Sequence, residues 1–181
     1  SLTNTCPKPM LPLGERPLLE HIIQQLSKMG IRRINVATHY LAEQIVDHFG
    51  DGSNLGVELN YVSEERPLGT AGALGVMGKV EEPLLVINGD ILTKINFHSM
   101  LVYHLEHQAE LTMAVRKYDF DVPYGVVECE GVAIKELREK PSMSFFVNAG
   151  VYLLQPSVYS FINNGESLDM TDLIQRLLDA S

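Results

Sequence analysis

Asp90 is the residue best placed for chemistry in this sequence, because it ends the stretch Leu84–Asp90, Leu-Leu-Val-Ile-Asn-Gly-Asp. An unbroken apolar run of this length predicts a buried parallel strand, since a strand covered on both faces lacks polar alternation. Ligands of open α/β sheets collect beyond the carboxyl ends of such strands. A carboxylate there, after a glycine that leaves room for a ligand, suits Mg2+ binding through oxygen. The alternative is that Asp90 only caps the next turn.

Two lysines stand where they could bind a phosphate group. Lys8 lies between Pro7 and Pro9, which stiffen the backbone around the cation. Lys140 follows Glu139 and precedes a proline at the end of a predicted hairpin, so an acceptor and a cation stand side by side. Each has a simpler interpretation: a solvated surface lysine for Lys8, and an exposed turn for Glu139 and Lys140.

The loop that runs from Glu64 to Gly75 is a further candidate binding segment, because Gly69, Thr70 and other small residues precede a predicted helix. Small residues let a ligand ring or a phosphate lie against the backbone, and a helix N-terminus offers unpaired N–H donors. The loop matches neither the Gly-x-Gly-x-x-Gly dinucleotide pattern nor a P-loop. By itself it is a weak signal.

Asn148 and the histidines are the remaining polar candidates. Asn148 opens an Asn-Ala-Gly interruption in a predicted strand, where close backbone approach would let it bond a sugar hydroxyl. His39 is predicted to be structural, since a single histidine without ligand partners signals little. The histidines at positions 98, 104 and 107 do not form the zinc pattern His-Glu-x-x-His and are predicted to be solvated or half-buried.

Strands and helices alternate in the first half of the sequence, which predicts how these residues are positioned. Apolar residues at helical spacing predict a helix over Pro17–Met29. Strands over Ile34–Ala37 and Val57–Val62, with a helix over Leu41–Phe49 between them, indicate a parallel sheet with right-handed crossovers. Residues 1–14, with three prolines and no period, are predicted to be extended.

The second half departs from this alternation. Its predicted elements are a helix over Phe97–Gln108, strands over Leu111–Arg116, Gly125–Glu128, Ala133–Leu137 and Val147–Leu154, and helices over Pro156–Ile162 and Asp169–Leu178. Asp169 is the predicted cap of the last helix. The hairpin predicts a small antiparallel layer that shapes a second ligand pocket.

Composition excludes several classes of protein. The sequence is 45% hydrophobic and 20% charged, which is typical of a globular domain and not of a disordered chain. A net charge of −9 disfavours nonspecific binding to nucleic acid or anionic lipid. Two isolated cysteines form no metal pattern, and no apolar run is long enough to cross a membrane. We therefore expect a cytoplasmic protein with no nucleic-acid or membrane partner.

Six motifs taken together are more specific than any one of them. They are Pro7-Lys8-Pro9-Met10-Leu11-Pro12, the run from Leu68 to Leu74, Asn88-Gly89-Asp90, Tyr124-Gly125-Val126, Glu139-Lys140-Pro141 and Asn148-Ala149-Gly150. In order and spacing they resemble the sugar-1-phosphate nucleotidylyltransferases over nearly the whole chain. The stretch Val36–Asp51 looks closest to bacterial members of the mannose-1-phosphate guanylyltransferase-like branch, some of which carry regulatory CBS domains on a longer chain.

The resemblance implies both a fold and a reaction. The fold is a Rossmann-like nucleotide-diphospho-sugar transferase core, an α/β fold with a mainly parallel sheet flanked by helices and a small antiparallel hairpin layer. The reaction transfers a nucleoside monophosphate from a nucleoside triphosphate to a sugar 1-phosphate and releases pyrophosphate, with Mg2+ as cofactor. The alternative is a non-catalytic homologue that binds a nucleotide or sugar phosphate in a regulatory role.

The resemblance also assigns roles to residues of this sequence. Lys8, Asp90 and Lys140 would be catalytic: Lys8 would contact the triphosphate, Asp90 would bind Mg2+, and Lys140 would hold the sugar phosphate. The base would contact Gly69 and Thr70. The sugar would be bound by four residues, Tyr124 and Gly125 lining its pocket and Glu139 and Asn148 bonding its hydroxyls.

Two family segments have no counterpart in residues 1–181, which we expect to form a single nucleotidyltransferase domain. One is the N-terminal strand with a glycine-rich loop that cradles the triphosphate, and the other is a C-terminal segment that carries a second metal-binding aspartate. Without them the fragment is expected to be a weak catalyst or none. An absent first strand would also leave strand edges unpaired, which favours self-association into a homo-oligomer.

Overall fold

The computed structural model of the protein describes residues 6–180, so the first five residues of the predicted extended segment lie outside it. In that part of the chain the α-helices are α1 (Leu18–Lys28), α2 (Ala42–Phe49), α3 (Gly69–Met77), α4 (Phe97–Glu106) and α5 (Met170–Asp179), and 3-10 helices cover Lys8–Met10, Ser53–Leu55 and Pro156–Phe161. The strands are β1 (Pro12–Leu13), β2 (Arg16–Pro17), β3 (Arg33–Thr38), β4 (Glu58–Ser63), β5 (Leu84–Ile87), β6 (Leu111–Asp121), β7 (Val126–Glu130), β8 (Ala133–Arg138) and β9 (Ser142–Leu154).

The chain divides into two compact units. The first unit runs to Thr112 and resumes at Gly150, and the second unit is Met113–Ala149. Strands β6 and β9 both cross this division, so each contributes residues to both units.

The core of the first unit is built by the predicted alternation of helices and strands. Strands β3 and β4 are parallel, from Arg33 opposite Glu58 to Thr38 opposite Ser63. Helix α1 buries the apolar residues at positions 19, 22, 23 and 26, as the helical spacing predicts, and Leu18 is half-buried. One apolar cluster joins these elements to α2 and contains Leu19, Ile23, Val36, Ile45, Phe49, Val57 and Leu59.

Strand β5 differs from the buried parallel strand that its apolar run predicts. It pairs antiparallel with β9, from Leu84 opposite Leu154 to Ile87 opposite Val151. The four residues of β5 are half-buried, whereas Val151 and Leu154 are fully buried. The reason for the difference in direction is that an apolar run does not determine in which direction the partner strand runs.

A cavity of about 500 Å³ lies between β3 and β5. Five consecutive residues, Arg33–Ala37, line it from β3, and six consecutive residues, Leu84–Gly89, line it from β5 and the turn that follows. Successive side chains of a strand point to opposite faces, so only a backbone edge presents a consecutive run. Each strand therefore turns an edge toward the cavity, opposite the edge that pairs with β4 or β9.

The second unit contains the β7–β8 hairpin and the adjoining parts of β6 and β9. The hairpin is antiparallel, as predicted, and has a bulge between Glu128 and Cys129. Its turn contains Gly131, whose φ of +61° is readily adopted only by glycine. Strands β6 and β9 extend further through this unit than their apolar patterns predict.

The burial of His104 differs from its prediction. His104, predicted to be solvated or half-buried, is fully buried in α4, and that prediction is wrong. Its partners, Thr112 and Gln155, lie 8 and 51 residues away in sequence, so local periodicity cannot reveal them. Within residues 6–180, no helix combines the length and apolarity needed to span a membrane.

Candidate functional site

Lys8 and Asp90 belong to segments that touch each other. Lys8 lies in a one-turn 3-10 helix, Lys8–Met10, which is closed by a hydrogen bond from the Met10 N–H to the Pro7 carbonyl (2.8 Å). A Cβ added to Gly89 would lie 3.5 Å from Cγ of Pro9, an ordinary van der Waals contact. Both Lys8 and Asp90 are exposed beside this contact. The structure thus brings together two motifs that are about 80 residues apart in sequence.

The turn at Asp90 is held by backbone contacts and leaves its carboxylate unused. The Asn88 N–H donates to the Gly150 carbonyl (2.9 Å), and the Ile91 N–H closes the turn on the Asn88 carbonyl (3.1 Å). Within the part of the chain that the structure describes, the Asp90 carboxylate makes no hydrogen bond or ion pair. A capping bond to the next turn is therefore absent there, and the carboxylate is open to solvent.

The Gly69–Thr70 loop is shaped by contacts with the segment that precedes α5. Gly69 has a φ of +78°, and a Cβ at this position would lie 2.6 Å from Oδ1 of Asp169 and 2.7 Å from the Leu168 carbonyl oxygen. Gly72 and Gly75 lie one helical turn apart along the same face of α3, where their missing Cβ atoms leave room for the backbone of residues 163–168. The small residues predicted to admit a ligand thus also admit a segment of the protein itself.

Three of the first four N–H donors of α3 are already paired. The Thr70 N–H donates to Oδ1 of Asp169 (3.2 Å), and the Ala71 and Gly72 N–H groups both donate to the Leu168 carbonyl (2.9 Å each). These N–H groups would otherwise form the anion site that a helix N-terminus offers. Of the two ligands considered for this loop, a phosphate is therefore disfavoured and a ring remains.

Asp169 was predicted only as the cap of its own helix, and its contacts differ from that prediction. It occupies the cap position of α5, but its carboxylate makes no capping bond there and reaches α3 instead. The first N–H of α5, on Met170, donates to Oγ1 of Thr70 (2.7 Å). Each of the two side chains accepts a hydrogen bond from an N–H group of the other residue's helix. Local sequence patterns could not predict this pairing, because the two residues are 99 positions apart.

Several candidate segments meet at the cavity between β3 and β5. Its lining includes Pro9, Gly69, Thr70, Asn88, Gly89, Glu64 and Asp169. The rest of the lining is mainly apolar and comes from α1, α3, β3 and β5. His39 supports this region from outside, since Nδ1 lies 2.8 Å from the Glu64 carbonyl oxygen, in agreement with its predicted structural role. Lys8 and Asp90 are not in the lining but adjoin it through Pro9 and Gly89.

The remaining predicted site residues belong to the second unit. A Cβ on Gly125 would lie 3.2 Å from Oε2 of Glu139, so the Tyr124-Gly125 and Glu139-Lys140 motifs are neighbours at one end of the β7–β8 hairpin. Lys140 adopts a φ of +45°, which is unusual for a residue with a side chain. Tyr124 is 75% exposed, and Glu139, Lys140 and Asn148 are exposed as well.

The predicted residues therefore fall into two sets. Lys8, Gly69, Thr70 and Asp90, assigned to the nucleotide and metal, belong to the first unit, and Tyr124, Gly125, Glu139, Lys140 and Asn148, assigned to the sugar phosphate, belong to the second. No cluster of three or more histidine, cysteine, aspartate or glutamate side chains that could hold a metal occurs among residues 6–180. A metal bound by one carboxylate and substrate phosphates is compatible with that finding, because Mg2+ is usually bound in this way.

The sequence is similar to those of several guanylyltransferases. A mannose-1-phosphate guanylyltransferase of Mycobacterium tuberculosis is 33% identical over 175 residues, which cover 93% of this chain and 48% of that protein. The catalytic subunit beta of the Drosophila melanogaster enzyme is 36% identical over 165 residues, which cover 87% of this chain and 45% of that one. A D-glycero-alpha-D-manno-heptose 1-phosphate guanylyltransferase of Aneurinibacillus thermoaerophilus is 32% identical, with 88% and 70% coverage. The chain spans about half the length of the first two relatives.

Solved structures agree with the predicted fold. The crystal structure of HddC from Yersinia pseudotuberculosis superposes with a TM-score of 0.69 at 24% identity, covering 91% of this chain and 75% of that one. A UDP-glucose pyrophosphorylase in complex with UDP-glucose superposes with a TM-score of 0.65 at 20% identity, covering 99% and 81%. The Rossmann-like α/β fold is thereby confirmed. Because the family model described as "Nucleotidyl transferase" matches residues 1–181, the chain belongs to the nucleotidyl transferase family.

Proposed function

We propose that this chain is the nucleotidyltransferase domain of an enzyme that makes a nucleotide sugar, with a guanylyl group transferred to mannose 1-phosphate or a related sugar 1-phosphate. The names of its relatives support both the reaction class and the choice of guanine and a manno-configured sugar. On this proposal both units are parts of one domain. The nucleoside triphosphate and the sugar 1-phosphate are its ligands, and nucleic acid and membranes are not partners.

The reaction needs positioning and charge neutralisation more than covalent catalysis. An oxygen of the sugar 1-phosphate attacks the α-phosphorus, the bond from that phosphorus to the bridging oxygen of the β-phosphate breaks, and pyrophosphate leaves with that oxygen. Lys8 is exposed next to the Gly89–Asp90 turn and would hold the triphosphate as a point charge. Lys140 would neutralise the attacking sugar phosphate, and Glu139 and Asn148 would orient the sugar through its hydroxyls.

Asp90 fits the role of a metal ligand on the chemistry of its donor atoms. Its exposed carboxylate offers two oxygens that no described neighbour uses, and oxygen is the ligand that Mg2+ prefers. A bound Mg2+ would neutralise charge at the α-phosphate. The chain contributes by holding the Asp90 carboxylate at the end of β5. Two backbone hydrogen bonds fix the turn there, from the Asn88 N–H to the Gly150 carbonyl and from the Ile91 N–H to the Asn88 carbonyl.

The observation that carries the proposal is the meeting of three motifs at one cavity. Pro9, the Gly69–Thr70 loop and the Asn88–Gly89 turn line the same space, although they come from positions 9, 69 to 70 and 88 to 89 of the chain. The paired N–H groups at the start of α3 leave that loop suited to a base and not to a phosphate. The lysine and the aspartate that adjoin Pro9 and Gly89 are suited to the triphosphate and its metal.

The competing proposal is a non-catalytic homologue that binds a nucleotide or a sugar phosphate in a regulatory role. The two are separated by incubating the full-length protein with GTP, mannose 1-phosphate and Mg2+ and measuring pyrophosphate and GDP-mannose, with other nucleoside triphosphates and sugar 1-phosphates as a panel. Stoichiometric production of both products is expected. GTP binding by calorimetry without product formation from any pair would favour the regulatory homologue.

Setting and assembly complete the proposal. We place the protein in the cytoplasm, where nucleoside triphosphates are available and where Cys6 and Cys129, both free thiols, would remain reduced. Self-association into a homo-oligomer belongs to the same proposal, because β3 and β5 each lie at the end of their sheet and have one edge that pairs with no described strand. Regulatory CBS domains on a longer parent chain are part of the same expectation, as they occur in some members of the guanylyltransferase-like branch that the sequence resembles.

A further inference from the structure

Thr70 and Asp169 form a reciprocal pair of helix caps between two helices that are remote in sequence. The Asp169 carboxylate accepts from the Thr70 N–H near the start of α3, and the Thr70 hydroxyl oxygen accepts from the Met170 N–H at the start of α5. Within a single helix such a reciprocal arrangement is a capping box. Here each residue satisfies a donor of the other's helix, so the two N-termini are fixed against each other. We refer to this pair as the Thr70–Asp169 clamp.

The surroundings of the clamp are tightly packed. The Leu68 carbonyl accepts from the Leu168 N–H (2.7 Å), and the Leu168 carbonyl accepts from two N–H groups of α3. Gly69 has no room for a side chain on the side that faces Asp169. Leu168 and Met170 are buried on either side of the aspartate, at 3% and 2% exposure. A shift of the Asp169 backbone would therefore be passed directly to Gly69 and Thr70.

The segment that carries Asp169 is itself anchored on α5. The Arg176 guanidinium binds the Glu166 carboxylate through both terminal nitrogens (2.5 and 3.1 Å) and also donates to the Phe161 carbonyl (2.8 Å). The Arg176 guanidinium, together with the Asn163 side chain, lowers the pKa of Glu166 to about 2. Residues 161–169 are thus held by Arg176 at Phe161 and Glu166 and by the clamp at Asp169.

We propose that Asp169 is a positioning residue for nucleotide binding, which acts by holding the Gly69–Thr70 edge of the cavity in the geometry that receives the base. The proposal rests on the proposed function, in which that edge contacts the base. Gly69, Thr70 and Asp169 line the cavity together, so the clamp lies at the edge that a base would meet. Releasing it would let the first turn of α3 move and would weaken nucleotide binding without changing the groups that act on the phosphates.

The test uses three substitutions that separate geometry from charge. Asp169→Asn removes the charge but keeps an oxygen at the position of Oδ1, Asp169→Glu keeps the charge but moves it by one methylene, and Asp169→Ala removes both. In the full-length protein, Ala and Glu are expected to raise KM for GTP by roughly fivefold, the factor that corresponds to losing one cap, with kcat and KM for mannose 1-phosphate nearly unchanged. Asn is expected to stay near the wild type.

A matched control is Asp172→Ala, which removes an exposed carboxylate from the same first turn of α5 with no hydrogen bond to α3. Hydrogen exchange at the Thr70 amide provides a readout that does not depend on turnover, and it should accelerate in Asp169→Ala and Asp169→Glu only. If Asp169→Ala fails to fold, the KM values for GTP of Asp169→Asn and Asp169→Glu still decide between the two roles. A positioning role predicts the higher KM in Asp169→Glu, whereas a purely electrostatic role predicts it in Asp169→Asn.

Two results would overturn the inference in distinguishable ways. If the wild-type protein binds GTP and all three variants have an unchanged KM for GTP, Asp169 has no positioning role and the proposed function stands. A wild-type protein that binds no nucleoside triphosphate would overturn the proposed function, and the positioning role with it, even if amide exchange showed that the clamp exists.

Discussion

The backbone of Gly125 lies against the carboxylate of Glu139, so a Cβ on residue 125 would approach Oε2 to 3.2 Å. That distance is tighter than an ordinary contact, and Glu139 is exposed and able to shift by a few tenths of an ångström. A side chain at position 125 would therefore displace a carboxylate that we assign to a sugar hydroxyl.

Gly125→Ala is expected to displace Glu139 and weaken binding of the sugar. KM for mannose 1-phosphate should rise by roughly fivefold, because a misplaced hydrogen-bonding group costs about 1 kcal/mol. KM for GTP and the melting temperature should change little. Glu139→Ala, which removes the carboxylate outright, should raise the same KM at least as much. An unchanged KM in both variants would mean that neither residue contacts the sugar.

Lys140 allows charge and backbone strain to be separated. Its φ of +45° is costly for any residue with a Cβ, so Lys140→Gly should be more stable to urea than Lys140→Ala by about 1 kcal/mol. Both variants lack the cation, and both should raise KM for the sugar 1-phosphate by roughly 10- to 100-fold, as expected for a hydrogen bond to a charged group. Nucleotide affinity should be retained. Equal loss of GTP and sugar-phosphate binding would contradict the assigned role.

Asp90 is the residue on which catalysis is expected to depend most. Asp90→Asn keeps the size of the side chain and removes the charge, and in the full-length enzyme it should lower turnover by roughly 100-fold or more, about 3 kcal/mol. The Mg2+ concentration for half-maximal rate should rise as well. Asp47→Asn removes an exposed carboxylate from α2 and is the control. Turnover within a few-fold of the wild type in Asp90→Asn would exclude it as a metal ligand.

The sequence predicted elements whose signal is local. Helix α1 and the parallel β3–β4 pair follow from apolar spacing and from the order of strands and helices, and both are present as predicted. The candidate site residues came from motifs whose significance rests on resemblance to a family, and their roles stay predictions. The structure adds that Gly69 and Thr70 line one cavity, which Lys8 adjoins only through Pro9.

Features that depend on distant partners were not predictable. The direction of β5 depends on β9, about 65 residues away, and the apolar run carries no information about it. Asp169 accepts a hydrogen bond from Thr70 and not from its own helix. An aspartate before a helix can make either contact, so the sequence does not distinguish them. His104 is buried because Thr112 and Gln155 satisfy its two ring nitrogens, which the spacing of α4 does not indicate.

The buried hydroxyl of Tyr159 is expected to lower the free energy of unfolding. The side chain is 5% exposed, burial raises its pKa to about 12, and among residues 6–180 no group is hydrogen-bonded to the hydroxyl. Because an unpaired buried hydroxyl is unfavourable, Tyr159→Phe should raise the free energy of unfolding by about 1 kcal/mol in urea titrations. Tyr103→Phe, at an exposed site on α4, should change it little. A lower free energy of unfolding in Tyr159→Phe than in the wild type would show that the hydroxyl has a hydrogen-bond partner.

His104 is expected to make stability depend on pH. It is fully buried, with Nδ1 2.7 Å from Oγ1 of Thr112 and Nε2 3.0 Å from the Gln155 side-chain nitrogen. The Gln155 amide donates to Nε2, so the neutral ring carries its proton on Nδ1 and donates it to Thr112. Burial lowers the pKa of His104 below 6.5, and the nearby negative charge of Glu110 opposes this effect only in part.

The sign of the effect follows from proton linkage. Between the lowered pKa and about 6.5 the unfolded chain binds a proton that the folded chain does not, so the free energy of unfolding falls as the pH falls through that window. The slope contributed is at most about 1.4 kcal/mol per pH unit. His104→Gln should be less stable at neutral pH but should lose that part of the slope, whereas His98→Gln, at an exposed site on α4, should keep it. An NMR titration that gave His104 a folded pKa above 6.5 would reverse the sign and refute the prediction.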